Sequence, residues 1–459
     1  MPLRDRPPQP TRVRTTPART GSLTNQPPVR KQGQPQISYT GEGRCPCREV
    51  DQLPDTDRVN SRSRNARPSA GSILIRTLPL SSNYGGILQA YALQRILGRL
   101  GAETAVDVSR ASSTQLERFP RLRTSAKRIV ARLGYSGPLS PQGLLFDGVT
   151  RAPKRFVARR INVVQLFDSP GSLNRSVLDV AGGFVVGSDQ VWRRAYGDVC
   201  SYLLNFLPAD DPRPRIAYAA SFGRDDLDEY EPDVLAESAR LVQRFDAISV
   251  REASGVRLAH DQWGVQAELH VDPTLLLDSE HYAELAGEAR DPLPSGSLID
   301  YVLDDEPGTR AVVAGVAGVL DEMPRSLMPP SPSSYRAYLR RPHLYRKPSV
   351  EAWLGAIGGA RFVVTDSFHG TVFSILNNVP FIAVVNRDRG ASRFESLLDT
   401  FGLRGRLLEP GEVVRPDLAI DPIDWDAVNA RIEHERQRSM EYLRRALGSM
   451  LDTDRRLVP

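Results

Sequence analysis

Cysteine is scarce in this chain, with three in 459 residues. That excludes a disulfide scaffold and points to a reducing compartment. Cys45-Pro46-Cys47 is a close pair, yet no second pair or histidine cluster completes a metal site beside it, and Cys200 stands alone. Histidine is also sparse, at six, and no Asp/Glu/His set has metal-ligand spacing, so no essential metal is expected. No apolar run approaches the roughly 20 residues of a membrane-spanning helix. The longest, Ala311 to Leu320, is far too short. The N-terminus carries no apolar segment of the kind that opens a secretory signal. These absences set the expectation of a cytoplasmic protein without a transmembrane segment, with a peripheral place at the inner membrane face left open.

What is present is enough for a sizeable core: 40% of the residues are hydrophobic and 25% are charged. The length suits two or three domains. The net charge is +5, but it is unevenly placed. Before residue 71 lie 13 Lys and Arg against 6 Asp and Glu, so the remainder is close to neutral. The basic pI of about 9.1 is therefore poor evidence for nucleic-acid binding, and no nucleic-acid partner is expected. Residues 1–70 are rich in Pro, Arg, Ser, Thr and Gln. Such a stretch buries too little apolar surface to offset the entropy of ordering, so a disordered tail is expected there.

From Ile73 onward, short apolar runs alternate with helical periodicity, the pattern of parallel α/β units. Ile87, Leu88, Tyr91, Leu93, Ile96, Leu97 and Leu100 form one helical face, Gly101 is suited to cap it, and Glu103 to Val108 reads as the next strand. Strands recur at Gly183–Val186, Ile216–Ala219, Ala247–Val250 and Leu269–Val271. The stretch 118–160 is basic and partly helical, with Ile129, Val130 and Leu133 on its apolar side. It reads as a solvated face or as a patch for a lipid-linked or anionic glycan. Asp291 to Gly296 has linker composition, and Leu298 to Leu303 opens a second α/β set. Met328–Pro348 reads as a long loop, helix restarts at Ser349, and Asp424 to Leu447 reads as a final helix.

The segment 361–394 is the most informative. Phe362-Val363-Val364 reads as a buried strand, Thr365-Asp366-Ser367 as helix-capping residues, and Asn377-Asn378 with Pro380 as the stop before the strand Phe381–Val385. His369 and Gly370 then sit where a parallel strand hands over to a helix N-terminus, the place where open α/β sheets bind anions. A histidine that merely caps its helix is the plain alternative. Comparable junctions follow ILIRT at residues 73–77, FVVGSD at 184–189 and ISV at 248–250.

Six motifs carry a resemblance. They are Asn83-Tyr84-Gly85-Gly86 with Leu88 to Gln94; Gly187-Ser188-Asp189-Gln190-Val191-Trp192; Ala217 to Gly223; Ser249-Val250-Arg251-Glu252; Asp272-Pro273-Thr274-Leu275-Leu276; and Thr365-Asp366-Ser367-Phe368-His369-Gly370. In this order, over roughly residues 72–450, they resemble the polysaccharide pyruvyl transferase family. The resemblance implies two Rossmann-like domains facing across a cleft, the glycosyltransferase-B-like arrangement. The expected boundaries are a tail at 1–70, an N-terminal domain at 71–290, a C-terminal domain at 297–425, and a helix at 426–459 packing back on the first domain.

The resemblance also implies transfer of the pyruvyl group of phosphoenolpyruvate to sugar hydroxyls, forming a ketal in polysaccharide biosynthesis. The saccharide acceptor is free or lipid-linked, and no cofactor is needed beyond the donor. Arg251, Ser367, His369, Gly370 and Arg389 are the implied donor contacts; an Arg251 held in a structural ion pair with Glu252 or a neighbour is the alternative. Arg389 is one of three arginines, with Arg387 and Arg393, in a loop where other family members place a lysine. His369 is implied as donor-binding and acidic, and Asp189, by its place at the first-domain junction, is the candidate base or acid, with the order left open; an Asp189 that only caps its loop is the alternative. A helix end disfavours imidazolium, but a bound phosphate carries a full charge against the dipole's half, so His369 would be protonated with donor in place. Asn83, Tyr84, Gly85, Gly86 and Trp192 are assigned to the acceptor side or its loop. The first of these motifs has no Gly-Lys-Ser/Thr and is not a nucleotide-binding P-loop. Arg251 and His369 are expected at strand ends outside the packed interior, so replacing either is expected to spare the fold. Two other readings compete: a nucleotide-sugar glycosyltransferase of the same architecture, and a non-catalytic glycan-assembly protein.

Overall fold

In a computed structural model, residues 71–109, 141–169 and 172–456 are described. The tail expected over 1–70, with Cys45 and Cys47, lies outside them, as do Ile129, Val130 and Leu133. All described residues belong to one contact unit, Val59–Pro459.

Two parallel sheets organise the chain. The first runs in the order β3-β2-β1-β6-β7-β8-β9. Its strands are β1 Ser72–Arg76, β2 Thr104–Asp107, β3 Val163–Val164, β6 Ala181–Asp189, β7 Arg215–Ala220, β8 Ala247–Val250 and β9 Glu268–Leu269, with β4 Phe167–Ser169 and β5 Ser172–Leu173 forming a separate antiparallel pair. β1 is SILIR and buried at every residue, as expected of a strand covered on both faces. It pairs with β2 on one side and β6 on the other, so the chain changes direction across the sheet at β1. A ligand crevice forms at such a switch point, beyond the carboxyl ends of the strands. The second sheet runs β11-β10-β12-β13-β14, with β10 Leu298–Tyr301, β11 Arg325–Ser326, β12 Phe362–Thr365, β13 Phe381–Val384 and β14 Leu407–Leu408. Its switch lies between β10 and β12. Asp366, just past β12, spans it by accepting from Leu303 N and Asp304 N just past β10. The α/β class with two Rossmann-like parallel units is therefore as the sequence implies.

Helices bring the switch points together. The helix Tyr84–Arg99 follows β1, and Phe368–Leu376 follows β12. Tyr84 stacks on Trp353 at 5.2 Å between centroids, and Trp353 meets Phe373 edge-on at 5.3 Å. An ideal Cβ at Gly85 would stand 2.0 Å from His369 Nδ1, so only glycine lets the two helix starts approach this closely. On the opposite flank, Gly390 (φ 99°) is equally constrained, since a Cβ there would stand 1.7 Å from the Gly223 carbonyl oxygen.

The Met328–Pro348 stretch contains more order than its prolines suggest. Ser334 Oγ accepts from Ala337 N and starts the helix Tyr335–Arg340. The final helix runs Trp425–Arg456, beyond the expected end at Leu447. Its Tyr442 Oη donates to the carbonyl of Ala217 in β7, and Ser439 Oγ lies 3.1 Å from His270 Nδ1. No helix among the described residues is long and apolar enough to cross a membrane.

Candidate functional site

Four side chains from distant positions converge where the carboxyl edges of the sheets meet. Arg251 follows β8, and its guanidinium forks between two carboxylates. Nη1 donates to Asp272 Oδ2 at 2.8 Å, and Nη2 donates to Asp189 Oδ1 at 2.9 Å. Asp272 lies just beyond β9, and its Oδ1 accepts from Thr274 N and Thr274 Oγ1. His369, in the first turn after Ser367, brings Nε2 to 3.5 Å from Asp272 Oδ2. That is ion-pair spacing and longer than a good hydrogen bond. Nε2 itself is buried without a hydrogen-bond partner. Asp189 ends β6 with φ 74°, a left-handed conformation that aspartate tolerates better than most residues.

Burial opposes every one of these charges, and pairing overrides it. Burial alone would raise the Asp189 carboxyl, but Arg251, His369 and Arg393 hold it below the usual carboxylate range. Asp272 is desolvated too, and His369 and Arg251 keep its carboxyl well below that range. Burial acts against the Arg251 cation, yet Asp189, Asp272 and Glu252 hold it above its ordinary value. Arg393 is less well compensated: burial, then the Arg251 charge, pull it down to about 10. Arg251 and Arg393 both lie over the Phe368 ring, at 4.7 and 5.4 Å from its centroid. Glu252 goes the other way, because burial raises its carboxyl against the pull of Arg251 and Arg393. Its Oε1 accepts from Phe222 N and Gly223 N, while Oε2 has no partner. Arg251 Nε and Arg393 Nε are likewise buried and unpartnered. Several buried polar atoms without partners in one place cost stability, and a polar ligand or water reaching them would recover hydrogen bonds.

The residues singled out in the sequence fall into three groups. Asp189, Arg251 and His369 are brought together, and both Arg251 and His369 are 5% exposed. They therefore lie in the packed interior, contrary to the expectation of strand-end positions outside it, because the helix starts at Gly85 and Phe368 pack against them. A second group frames them. Asn83 Oδ1 accepts from Gly85 N and starts the helix that abuts His369. A Cβ at Gly86 would stand 3.5 Å from Asp189 Oδ2. Ser367 Oγ accepts from Gly370 N, and a Cβ at Gly370 would press on Thr365 Oγ1 at 2.4 Å. Tyr84 turns away, with its hydroxyl donating to the Pro348 carbonyl. The third group is engaged elsewhere. Arg389 forks onto Asp304 through Nε and Nη2 at 2.6 and 2.7 Å. Trp192 is wholly buried in an aromatic cluster with Phe222 and Trp263.

Of the three arginines in the 387–393 segment, Arg393 is the one beside Arg251. Arg387 pairs with Glu409 on the surface. Asp272 lies in a motif whose sequence suggests only a turn, and its contact with His369 joins residues 97 apart in number. Its one visible signal was a carboxylate directly after an apolar strand, the same signal that marked Asp189. Glu252 was visible only as a neighbour of Arg251.

The model of the family described as polysaccharide pyruvyl transferase matches residues 83–389, well over half of the chain. The chain therefore belongs to the polysaccharide pyruvyl transferase family and is a transferase with a pyruvyl-transfer role. Family membership implies a saccharide acceptor. No curated protein sequence matches significantly. Among solved structures, a UDP-N-acetylglucosamine 2-epimerase from Rickettsia bellii is similar at 8% identity and a TM-score of 0.44, over 84% of this chain and 99% of that one. A ugt transferase from Siraitia grosvenorii in complex with UDP is similar at 12% identity and a TM-score of 0.41, over 83% and 100%.

Proposed function

We propose that this member of the polysaccharide pyruvyl transferase family moves the pyruvyl group of phosphoenolpyruvate onto two hydroxyls of a saccharide, closing a ketal and releasing phosphate. One observation carries the reading. His369 Nε2 is a buried, unpartnered ring nitrogen held beside the Asp272 carboxylate at the start of a helix.

The reaction adds a proton to the methylene carbon of the donor, and one hydroxyl oxygen then bonds to its C2. The second hydroxyl displaces phosphate at the same carbon. The two protons lost by the hydroxyls balance the one gained by carbon and the one carried off with phosphate. His369 suits the carbon protonation, since its Nε2 lies buried beside the Asp272 carboxylate with no competing hydrogen-bond partner. Asp189, held below the ordinary carboxylate range, is a weak proton acceptor. It suits fixing Arg251 and orienting a hydroxyl better than serving as a general base. Glu252, with a raised carboxyl and a free Oε2, is the better proton acceptor. Arg393 Nε and the N–H groups that start the helix Phe368–Leu376 suit the donor's anionic groups.

The test is to incubate the full chain with phosphoenolpyruvate and a panel of glycans and to measure acceptor-dependent phosphate release. Phosphoenolpyruvate should also stabilise the protein by about 2.7 kcal/mol at a hundredfold excess over its dissociation constant. Stabilisation by a nucleoside diphosphate, with none by phosphoenolpyruvate, would favour a nucleotide-sugar reaction instead.

A further inference from the structure

A cavity of about 580 Å³ lies apart from the charged junction, between the helix Arg151–Arg160 and the segment that leads into the helix Val350–Gly358. Six cations line it: Arg151, Arg155, Arg159, Arg290, Arg346 and Lys347. Three carboxylates share the lining, Glu288, Asp291 and Glu351, and Glu288 is already paired with Arg160. Among the described residues, none of the five arginines pairs with a carboxylate. Uncompensated guanidinium groups in a concavity attract anions, and their planar forks match phosphate oxygens. Ser349 and Ala352 also line the cavity, so the N-terminal end of a nine-residue helix opens into it. Helix starts favour the same ligand chemistry. Phe156, Leu293 and Ala352 supply an apolar wall.

The cavity connects physically to the junction. Lys347 Nζ donates to the Ser82 carbonyl at 3.1 Å, and Tyr84 Oη donates to the Pro348 carbonyl at 2.8 Å. One residue after Tyr84, Gly85 abuts His369. The 82–86 loop therefore links the edge of the cavity to the site of transfer.

We propose that this cavity binds a phosphate or diphosphate ester at the carrier end of the saccharide acceptor, leaving the sugar to reach the junction. The identification of the ligand as an acceptor rests on the pyruvyl-transfer reading above; the binding of the diphosphate itself does not.

Calorimetry on the full chain tests it with inorganic pyrophosphate, farnesyl diphosphate and UDP as probes. Pyrophosphate should bind saturably in the cavity, more weakly as salt is raised. Arg155→Ser/Arg346→Ser should weaken it at least tenfold, and His369→Ala should leave it unchanged. Arg346→Gln alone, at an exposed position outside any helix, should weaken it in the same direction if the double variant folds poorly. A diphosphate bound more tightly with its farnesyl chain assigns a lipid carrier, and one bound more tightly as UDP assigns a nucleotide carrier. Absence of saturable pyrophosphate binding, equal affinity in the arginine variants, or loss of binding in His369→Ala would overturn the proposal. If phosphate release from phosphoenolpyruvate fails while pyrophosphate binding behaves as expected, the transfer reading falls and the anion site stands.

Discussion

The junction and the basic cavity both concentrate charge, but in opposite ways. At the junction, Asp189, Arg251 and Asp272 are almost completely shielded from solvent and are tied together by two direct ion pairs. In the cavity, five arginines face solvent without a carboxylate partner among the described residues. The difference follows from desolvation. A buried charge costs several kcal/mol unless it is paired, whereas an exposed one keeps its water and can wait for a ligand. The junction is thus built to hold fixed geometry, and the cavity to capture. Changes at the ion-paired residues of the first should alter the fold and turnover together; changes at the second should alter ligand binding without unfolding the protein.

The largest effect is expected at Arg251. Arg251→Ala leaves Asp189 and Asp272 buried without their counter-charge, which should cost about 3–5 kcal/mol and abolish turnover. Arg251→Lys keeps the charge but cannot span both carboxylates, so it should recover part of the stability and little activity. Urea unfolding beside phosphate release measures both. Wild-type stability in Arg251→Ala would mean that the fork contributes nothing net, and the contrast with the cavity would collapse.

His369→Gln comes next and should separate chemistry from structure. Glutamine retains hydrogen-bonding capacity but cannot supply a proton at neutral pH. Turnover should fall roughly 10²–10⁴-fold with donor binding retained. Weaker donor binding with turnover kept would make His369 an anchor only. Near-wild-type activity in folded His369→Ala would remove it from the site.

Gly85→Ala sharpens the same point from the other wall. The added methyl would overlap the His369 ring, and overpacking of this kind costs about 1–3 kcal/mol. Displacement of His369 should lower turnover further than that stability loss alone explains. A stable, fully active Gly85→Ala would show that the ring moves aside freely.

Much of the frame was legible in the sequence because buried parallel strands announce themselves as short apolar runs. Ala247–Val250 was readable residue for residue, and Ser349 as a helix start followed from its capping chemistry. Short edge strands were less clear. β9 covers only Glu268–Leu269, since one neighbouring strand gives little periodicity to read. The proline-rich stretch hid the helix Tyr335–Arg340, where Ser334 outweighs the surrounding breakers. In the site, Asp189, Arg251 and His369 were visible as polar residues after apolar strands. The pairing of Arg251 with Asp189 and Asp272 was not, since its ion pairs join positions 62 and 21 residues away and depend on how the strand ends are ordered. Nor could sequence separate Arg389 from Arg393, four residues apart on opposite sides of a helix start.

Acid titration gives a smaller, graded effect. Asp189 and Asp272 both have carboxyls below their unfolded values, so their contribution is fully present above about pH 4, the ordinary aspartate range. It is lost as pH falls through the folded-state values. Stability should therefore decline below about pH 4, and Asp189→Asn should flatten that decline while lowering stability at neutral pH. An unchanged acid limb in Asp189→Asn would show that the pairing does not stabilise the charged form.

The smallest effect is expected at Arg389. Its fork onto Asp304 ties the loop after β13 to the loop after β10, but both side chains are about one-third exposed, at 38% and 34%. Solvent screens such a pair, so Arg389→Gln should cost no more than about 1 kcal/mol. Asp304 also accepts from Asn386 Nδ2 at 2.7 Å, which leaves it partnered after the substitution. Turnover should fall modestly, because Arg389 also positions its neighbours through its backbone: its carbonyl accepts from Gln190 Nε2 and from Arg393. Those bonds survive a side-chain change. Arg393→Gln, by contrast, removes the guanidinium beside Arg251 and should weaken phosphoenolpyruvate binding clearly. If Arg389→Gln proves the more damaging of the two in donor titrations, the donor's anionic groups lie on the Asp304 side of the loop, and the charged junction is only its support.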